Sequence, residues 1–166
     1  MMHARLLCQS LALCCAFALL PAGLEARDTP QVAFKDWAVE CDDAPVYCVA
    51  SQTAGATDDT FWLATVQLRP VTDGAIVVLR VPAGVHLGSG LFVGVRQPLT
   101  EIAYQSCTPQ MCIASGQISK SELTRWRRGR VAEVRYRPSA TSPPLSFEIS
   151  LQGITAALRY VKEAEL

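Results

Sequence analysis

The chain has 166 residues, of which 50% are hydrophobic, and its 15 basic side chains balance its 15 acidic ones to give a formal net charge of +0 at pH 7. A chain without excess positive charge is a poor candidate for general nucleic-acid binding, so we predict no nucleic-acid partner. It has no long internal repeat, no heptad pattern and no low-complexity segment apart from a Ser/Pro-rich loop over residues 138–144.

The N-terminus has the pattern of a cleaved secretory signal. Arg5 precedes an apolar run over residues 6–20, and small residues provide a cleavage site after Ala26. The apolar run is too short for a stable membrane span. We therefore expect residues 1–26 to be removed on export. The mature chain, without a transmembrane segment, would then act in the periplasm or cell envelope, at the cell surface or as a secreted protein.

A lipoprotein signal that ends at Cys14 or Cys15 is the alternative. Leu13 is too bulky for the position before a modified cysteine, and the cut would fall inside the apolar run. The ordinary secretory signal is therefore favoured, and residues 27–166, which have the length of one domain, remain to fold.

Short strand patterns separated by turn signals follow. After a polar lead-in, they cover residues 37–41, 47–53, 61–68, 76–81, 91–95 and 102–104. Asp73-Gly74 predicts a hairpin turn, and residues 81–90 mix glycine and proline with apolar residues, which predicts a shaped loop.

A strand over residues 111–117 leads into a helix with strong start and stop signals. Ser119 matches an N-cap and Glu122 the partner that reaches back to it, while Ile118 and Leu123 can pack as a hydrophobic staple. We expect the helix to begin directly after Ser119 and to be stopped by Gly129 in a left-handed conformation.

Two further strands and a helix complete the chain. Residues 131–136 and 145–151 alternate between apolar and polar, and Ile154, Leu158 and Val161 have helical spacing. We predict an all-β fold, a β-sandwich or an open barrel of short antiparallel strands, with one short capped helix and a C-terminal helix.

Four cysteines remain after signal cleavage: Cys41, Cys48, Cys107 and Cys112. An even number in an oxidising compartment predicts two disulfides. Three pairings exist, and we favour Cys41 with Cys48 and Cys107 with Cys112 because each partner is close in sequence. Zinc binding and redox chemistry are the alternatives, but the spacings exceed those of structural zinc sites, the mature chain's only histidine is His86, and no Cys-x-x-Cys motif is present. No metal or cofactor is predicted.

His86 and Ser89 are the pair that suggests a hydrolase. A nucleophile elbow needs glycine two residues before the serine, where this chain has Leu87, and no acid stands nearby in the sequence. We therefore predict no catalytic residues. A hydrolase remains the third hypothesis and would depend on His86.

An ordered set of features runs through the mature chain. It comprises the signal, Phe34-x-x-Trp37, the early cysteine pair, Pro82-x-Gly84-Val85-x-Leu87-x-x-Gly90, Cys107-x4-Cys112, and Leu123 with Gly129. This set resembles the invasion-associated locus B family of bacterial envelope proteins over about residues 34–158, although Lys35 stands where members often have glycine. The resemblance implies an exported β-rich domain with two local disulfides, no enzyme activity and no cofactor. Some members are linked to host-cell invasion.

A basic run over residues 120–137 is the feature that implies a partner. It holds seven basic and two acidic residues, and we predict contact through Arg125, Arg127, Arg128 and Arg130. Guanidinium groups suit phosphate, sulfate and carboxylate, so an anionic glycan or lipid is the candidate partner. The alternative is a solvated surface whose charges complement the helix dipole.

The sequence thus predicts an exported, non-enzymatic envelope protein. It would serve as a binding, adhesion or host-interaction module for a partner in the envelope or on a host surface. The alternative is a structural or chaperone-like periplasmic factor that binds other envelope proteins through an exposed sheet edge. Binding by the first would weaken as salt rises, and binding by the second would not.

Overall fold

The computed structural model describes residues 31–43, 46–55 and 61–166, and the statements below concern those residues. The signal predicted over residues 1–26 lies outside them. So do residues 44–45, between Cys41 and Cys48, and residues 56–60.

Strands dominate the described chain. They are β1 (Gln31–Phe34), β2 (Trp37–Asp43), β3 (Val46–Gly55), β4 (Trp62–Val71), β5 (Gly74–Pro82), β6 (Leu91–Gly94), β7 (Thr100–Ile102), β8 (Tyr104–Cys107), β9 (Met111–Ser119), β10 (Val131–Tyr136) and β11 (Leu145–Ser150). Two helices, α1 (Lys120–Arg128) and α2 (Ile154–Ala164), and a 3-10 turn at Leu87–Ser89 complete the fold. The predicted all-β class with a capped helix and a C-terminal helix is confirmed, whereas β1 replaces part of the predicted polar lead-in.

The strands form two antiparallel sheets. The larger has the order β1-β2-β3-β4-β5-β9-β8 and the smaller has the order β11-β10-β6-β7. Buried residues of both sheets and both helices belong to one hydrophobic core. This two-sheet arrangement corresponds to the sandwich form of the prediction rather than to an open barrel.

Alternation along the strands decides which side chains enter the core. In β4, Ala64, Val66 and Leu68 are fully buried, while the residues between them face outward. Val66 lies opposite Leu79 of β5 in the sheet register, so apolar side chains of neighbouring strands meet on the inner face. The residues between these inward-facing side chains form the outer face of the larger sheet.

Helix α2 covers the inner face of the larger sheet near β1 to β4. Its buried stripe consists of Ile154, Ala157, Leu158 and Val161, at the spacing predicted from the sequence. Gly153 precedes the helix with a φ of +93°, and the chain of β1 passes close to it. The start of α2 therefore packs directly against the main chain of the first hairpin.

The start of α1 follows the prediction in part. The Ser119 hydroxyl accepts a hydrogen bond from the Glu122 main-chain N–H at 3.2 Å, as an N-cap does. The Glu122 side chain, however, turns into the protein instead of reaching back to Ser119. The predicted capping box is therefore only half formed.

The inward turn of Glu122 satisfies buried donors. Glu122 is 3% exposed. Its carboxylate accepts hydrogen bonds from the Trp126 indole N–H at 2.9 Å and from the Val95 main-chain N–H at 3.3 Å. Arg125 donates from Nε to the same carboxylate at 2.7 Å. Because Trp126 is fully buried, its N–H needs an acceptor inside the protein, and Glu122 supplies it.

The predicted left-handed conformation of Gly129 is wrong. Its φ of −76° and ψ of 167° are extended, and its N–H donates to the carbonyl of Arg125 at 2.8 Å. A Cβ there would lie 2.9 Å from Cδ1 of Leu151 and 3.1 Å from Cγ1 of Val95. Glycine is therefore explained by close packing at the helix end rather than by φ.

Two tyrosine hydroxyls should make stability depend on alkaline pH. Burial raises the pKa of Tyr136, whose hydroxyl donates to the Leu63 carbonyl at 3.0 Å, from 10.0 to about 12. Burial and the neighbouring Tyr136 raise the pKa of Tyr104 to about 12. The folded state holds these protons above pH 10 while the unfolded state loses them, so the free energy of unfolding should fall as pH rises from about 10 to about 12.

Urea denaturation across that pH range tests this expectation. Tyr136→Phe should lower the slope of stability against pH relative to the wild type. Equal slopes in the wild type and Tyr136→Phe would contradict the role of Tyr136.

Candidate functional site

The four arginines predicted to bind a partner are all exposed but do not share one site. Arg125 is held by the Glu122 carboxylate, which offsets its charge. Arg127 faces a groove, while Arg128 and Arg130 do not line it. Trp126 is fully buried and is not available as an aromatic surface.

The groove lies between the β4–β5 turn, α1 and α2 and has a volume of about 570 Å³. Its lining residues are Pro70, Val71, Thr72, Gly74, Lys120, Leu123, Arg127 and Lys162. We call it the cationic groove. A volume of this size lies within the range of about 300 to 1,000 Å³ that is usual for ligand sites.

Helix geometry brings the cations together. Lys120, Leu123 and Arg127 are separated by three and four residues, so they lie on one face of α1. Lys162 comes from the last turn of α2, which packs beside α1. One face of each helix thus contributes positive charge to the same groove.

The positive charges of the groove have no acidic counterpart in its lining. Within the described ranges, Lys120, Arg127 and Lys162 have no carboxylate within the 4.0 Å of a salt bridge. Lys120 also stands at the positive end of the α1 dipole, where a cation is disfavoured. Complementing the helix dipole therefore does not explain this lysine.

The sequence prediction missed Lys162 and did not select Lys120. Lys162 lies on a different helix from Arg127, and only the packing of α2 against the sheet brings it to the groove. Lys120 belongs to the basic run. The register of α1 places it on the same helix face as Arg127 and on a different face from Arg125. No local sequence pattern identifies Lys162 as a neighbour of Arg127.

His86 and Ser89 do lie together. The His86 Nδ1 and Ser89 Oγ atoms are 2.7 Å apart, at the 3-10 turn. Among the described residues, no carboxylate hydrogen-bonds to the His86 ring, so the orienting acid of a catalytic triad is not supplied there. The contact links the two ends of one short turn.

The cysteines are paired within two hairpins. Cys41 lies opposite Cys48 across β2 and β3, and Cys107 lies opposite Cys112 across β8 and β9, each with an S–S distance of 2.03 Å.

Over residues 31–43, 46–55 and 61–166, no group of three or more His, Cys, Asp or Glu residues is arranged to hold a metal ion. In the same ranges, no helix has the length and apolar character needed to cross a membrane.

Comparisons with known proteins agree with the sequence motifs. A family model described as Invasion associated locus B (IalB) protein matches residues 37–162. Two curated relatives, the invasion protein B homologs of Brucella abortus strain 2308 and of Brucella abortus biovar 1 strain 9-941, are each 29% identical over an alignment of 145 residues. The match covers 85% of this chain and 82% of the relative.

A solved structure has the same fold. The crystal structure of invasion associated protein B from Bartonella henselae matches with a TM-score of 0.70 and 18% sequence identity. The match covers 81% of this chain and 97% of that chain. At this identity the likeness concerns the fold, and the family resemblance seen in the sequence is confirmed by the family match.

Proposed function

The chain belongs to the invasion associated locus B family, and from that premise we propose that it is an exported, non-enzymatic binding module that recognises an anionic partner. The observation that carries the proposal is the cationic groove, where Lys120, Arg127 and Lys162 converge without an acidic lining residue. Two disulfides fit an oxidising compartment, which supports export to the periplasm or cell envelope.

The groove suits a single anionic group better than an open surface does. Pro70, Val71 and Leu123 provide apolar walls, which reduce the screening of charges between them. Arg127 offers a planar fork of donors and the two lysines offer mobile point charges, a combination that fits phosphate, sulfate or carboxylate. An anionic glycan or lipid of the envelope or of a host surface carries such groups.

The predicted arginines take different roles in this proposal. Arg127 contacts the ligand, whereas Arg128 and Arg130 extend the positive surface and contribute long-range attraction. Arg125 donates to the buried Glu122 carboxylate and has no role in ligand binding. The site therefore shifts from the four-arginine cluster to a groove that shares one residue with it.

The alternative, a structural or chaperone-like factor, would use a sheet edge. The strands β1 and β8 lie at the edges of the larger sheet and are largely exposed. Both contain only four residues, and the pairing of β8 with β9 has a register shift between Tyr104 and Ser106. The two edges of the larger sheet are therefore poor templates for an added strand, which favours the groove over them.

Salt dependence distinguishes these two functions. Binding of the oxidised mature protein to phosphatidylglycerol vesicles, and to heparin as a sulfated glycan, should weaken at least about tenfold between about 0.01 M and about 0.5 M salt. Phosphatidylcholine vesicles provide the neutral control and should bind weakly throughout. Capture of envelope proteins that persists at high salt, without binding to either anionic probe, would favour the sheet-edge alternative.

A further inference from the structure

A second groove lies on the outer face of the larger sheet, over β2 to β5. Its floor consists of Val49, Ile76 and Val78, which are half-buried on the side of the sheet that faces away from the core. Its volume is about 310 Å³, and it shares no lining residue with the cationic groove. We call it the sheet groove. An apolar floor is unusual on a solvent-facing sheet surface, where alternation places polar residues.

The rim of the sheet groove separates acceptors from donors. Glu40 and Asp42 of β2 stand on one side, Arg69 of β4 lies between Val49 of β3 and Ile76 of β5, and Arg80 of β5 stands on the far side. Their four formal charges cancel, so the sheet groove does not select an anion as the cationic groove does. In the strand order, a ligand would meet the carboxylates of β2, Val49 of β3 and the Arg69 guanidinium of β4 in turn.

Contacts within the protein hold the donor side in place. Arg80 donates to the Gln67 side chain, and the Arg69 guanidinium lies 5.0 Å from the centre of the Tyr47 ring and 3.5 Å from Glu165. Such contacts reduce the side-chain entropy lost when a ligand binds. Tyr47 is 45% exposed, so part of its ring remains available at the edge of the sheet groove.

This order of groups matches the acetamido group of an N-acetylated sugar. The acetamido N–H can donate to Asp42 or Glu40, its carbonyl can accept from Arg69, and its methyl group can contact Val49 between them. The C–H face of the sugar ring is suited to Tyr47. We propose that the sheet groove binds oligosaccharides of N-acetylated hexosamine.

A peptide fits the same groove less well. Over the groove β5 is paired on both sides, and the start of β3 is paired with β2 while its Cys48 N–H donates to the Glu165 carboxylate at 3.2 Å, so little free strand edge is offered to an extended peptide. Recognition must therefore come from side chains, which suits a sugar with polar groups around an apolar face. Peptide binding is an outcome of the test rather than the proposal.

Calorimetry and amide chemical-shift mapping test the proposal with two trisaccharides. N,N′,N″-triacetylchitotriose carries acetamido groups, and cellotriose has hydroxyls in their place on the same β-1,4-linked backbone. We expect the first to bind and to shift the resonances of β2 to β5, and the second to bind at least about tenfold more weakly.

Two variants and a control connect binding to the sheet groove. Tyr47→Ala and Asp42→Asn should each weaken binding of triacetylchitotriose about tenfold or more. Glu148→Gln, a matched loss of one carboxylate on the exposed face of β11, should leave it unchanged. Neutralising Lys120, Arg127 and Lys162 should also leave it unchanged, which separates this proposal from the proposed function.

Several results would overturn the proposal. They are an absence of triacetylchitotriose binding, equal binding of cellotriose, unchanged binding by Tyr47→Ala and Asp42→Asn, or shifts confined to the cationic groove. A short extended peptide that shifts the β2 to β5 resonances when the trisaccharide does not would replace the sugar as the ligand.

Discussion

Replacing Gly153 with alanine is expected to lower the free energy of unfolding by about 3 to 5 kcal/mol. Gly153 has a φ of +93°, and a Cβ there would lie 1.8 Å from the main-chain oxygen of Phe34 and 2.7 Å from its carbonyl carbon. No rotamer change relieves an overlap with main-chain atoms. The start of α2 or the end of β1 must move, which disturbs the packing of Ile154 and Leu158 in the core.

Gly84→Ala is the matched control for this substitution. Gly84 also has a positive φ, of +90°, but a Cβ there has no heavy atom within 4 Å. It should cost only the backbone strain, about 1 to 2 kcal/mol. Urea denaturation of both variants measures the difference, and equal losses would show that the Phe34 contact does not constrain Gly153.

Glu122→Ala is expected to lower the free energy of unfolding by about 2 to 4 kcal/mol. The substitution leaves the Trp126 indole N–H and the Val95 main-chain N–H without their acceptor, and it removes the partner of Arg125. Glu122→Gln keeps an acceptor oxygen for Trp126 and should cost about half as much. Urea denaturation again provides the measurement.

Arg125→Ala separates the two parts of this network. The Arg125 side chain is 49% exposed, so water can replace much of its interaction and the loss should be about 1 kcal/mol. If Glu122→Ala costs no more than Arg125→Ala, Glu122 acts only as a surface ion-pair partner. The account of a buried acceptor for Trp126 would then be wrong.

The elements with regular patterns could be predicted from the sequence. In β10, Ala132, Val134 and Tyr136 face inward as their alternation predicts, and α1 begins after Ser119 as its N-cap predicts. These patterns report local geometry, which depends on residues close in sequence. The family follows from motifs that are likewise local.

Features that depend on distant residues could not be predicted. Glu122 turns inward because the buried Trp126 N–H and the Val95 main-chain N–H need an acceptor, and position 129 is glycine because a Cβ there would crowd Leu151 and Val95. Lys35 has a φ of +55°. This left-handed conformation, which favours glycine, could not be predicted from a lysine at this position of the sequence.

The candidate site illustrates the same limit. A run of basic residues predicts a positive surface around α1, but it could not show which cations share a groove. The helix repeat places Arg127 and Lys120 on one face of α1, and the packing of α2 brings Lys162 beside them. Arg125 instead donates to the Glu122 carboxylate and does not line the groove. The groove is a product of tertiary structure.

The most direct test of the cationic groove compares two variants with the same loss of charge. One carries Lys120→Gln, Arg127→Gln and Lys162→Gln, and the other carries Arg96→Gln, Arg128→Gln and Arg130→Gln at exposed positions outside the groove lining. Affinity for phosphatidylglycerol vesicles and heparin is measured at low salt. We expect the groove variant to bind at least about thirtyfold more weakly than the wild type and the control variant less than about fivefold. Equal losses in both variants would mean that net charge rather than the groove governs binding, which would contradict the proposed site.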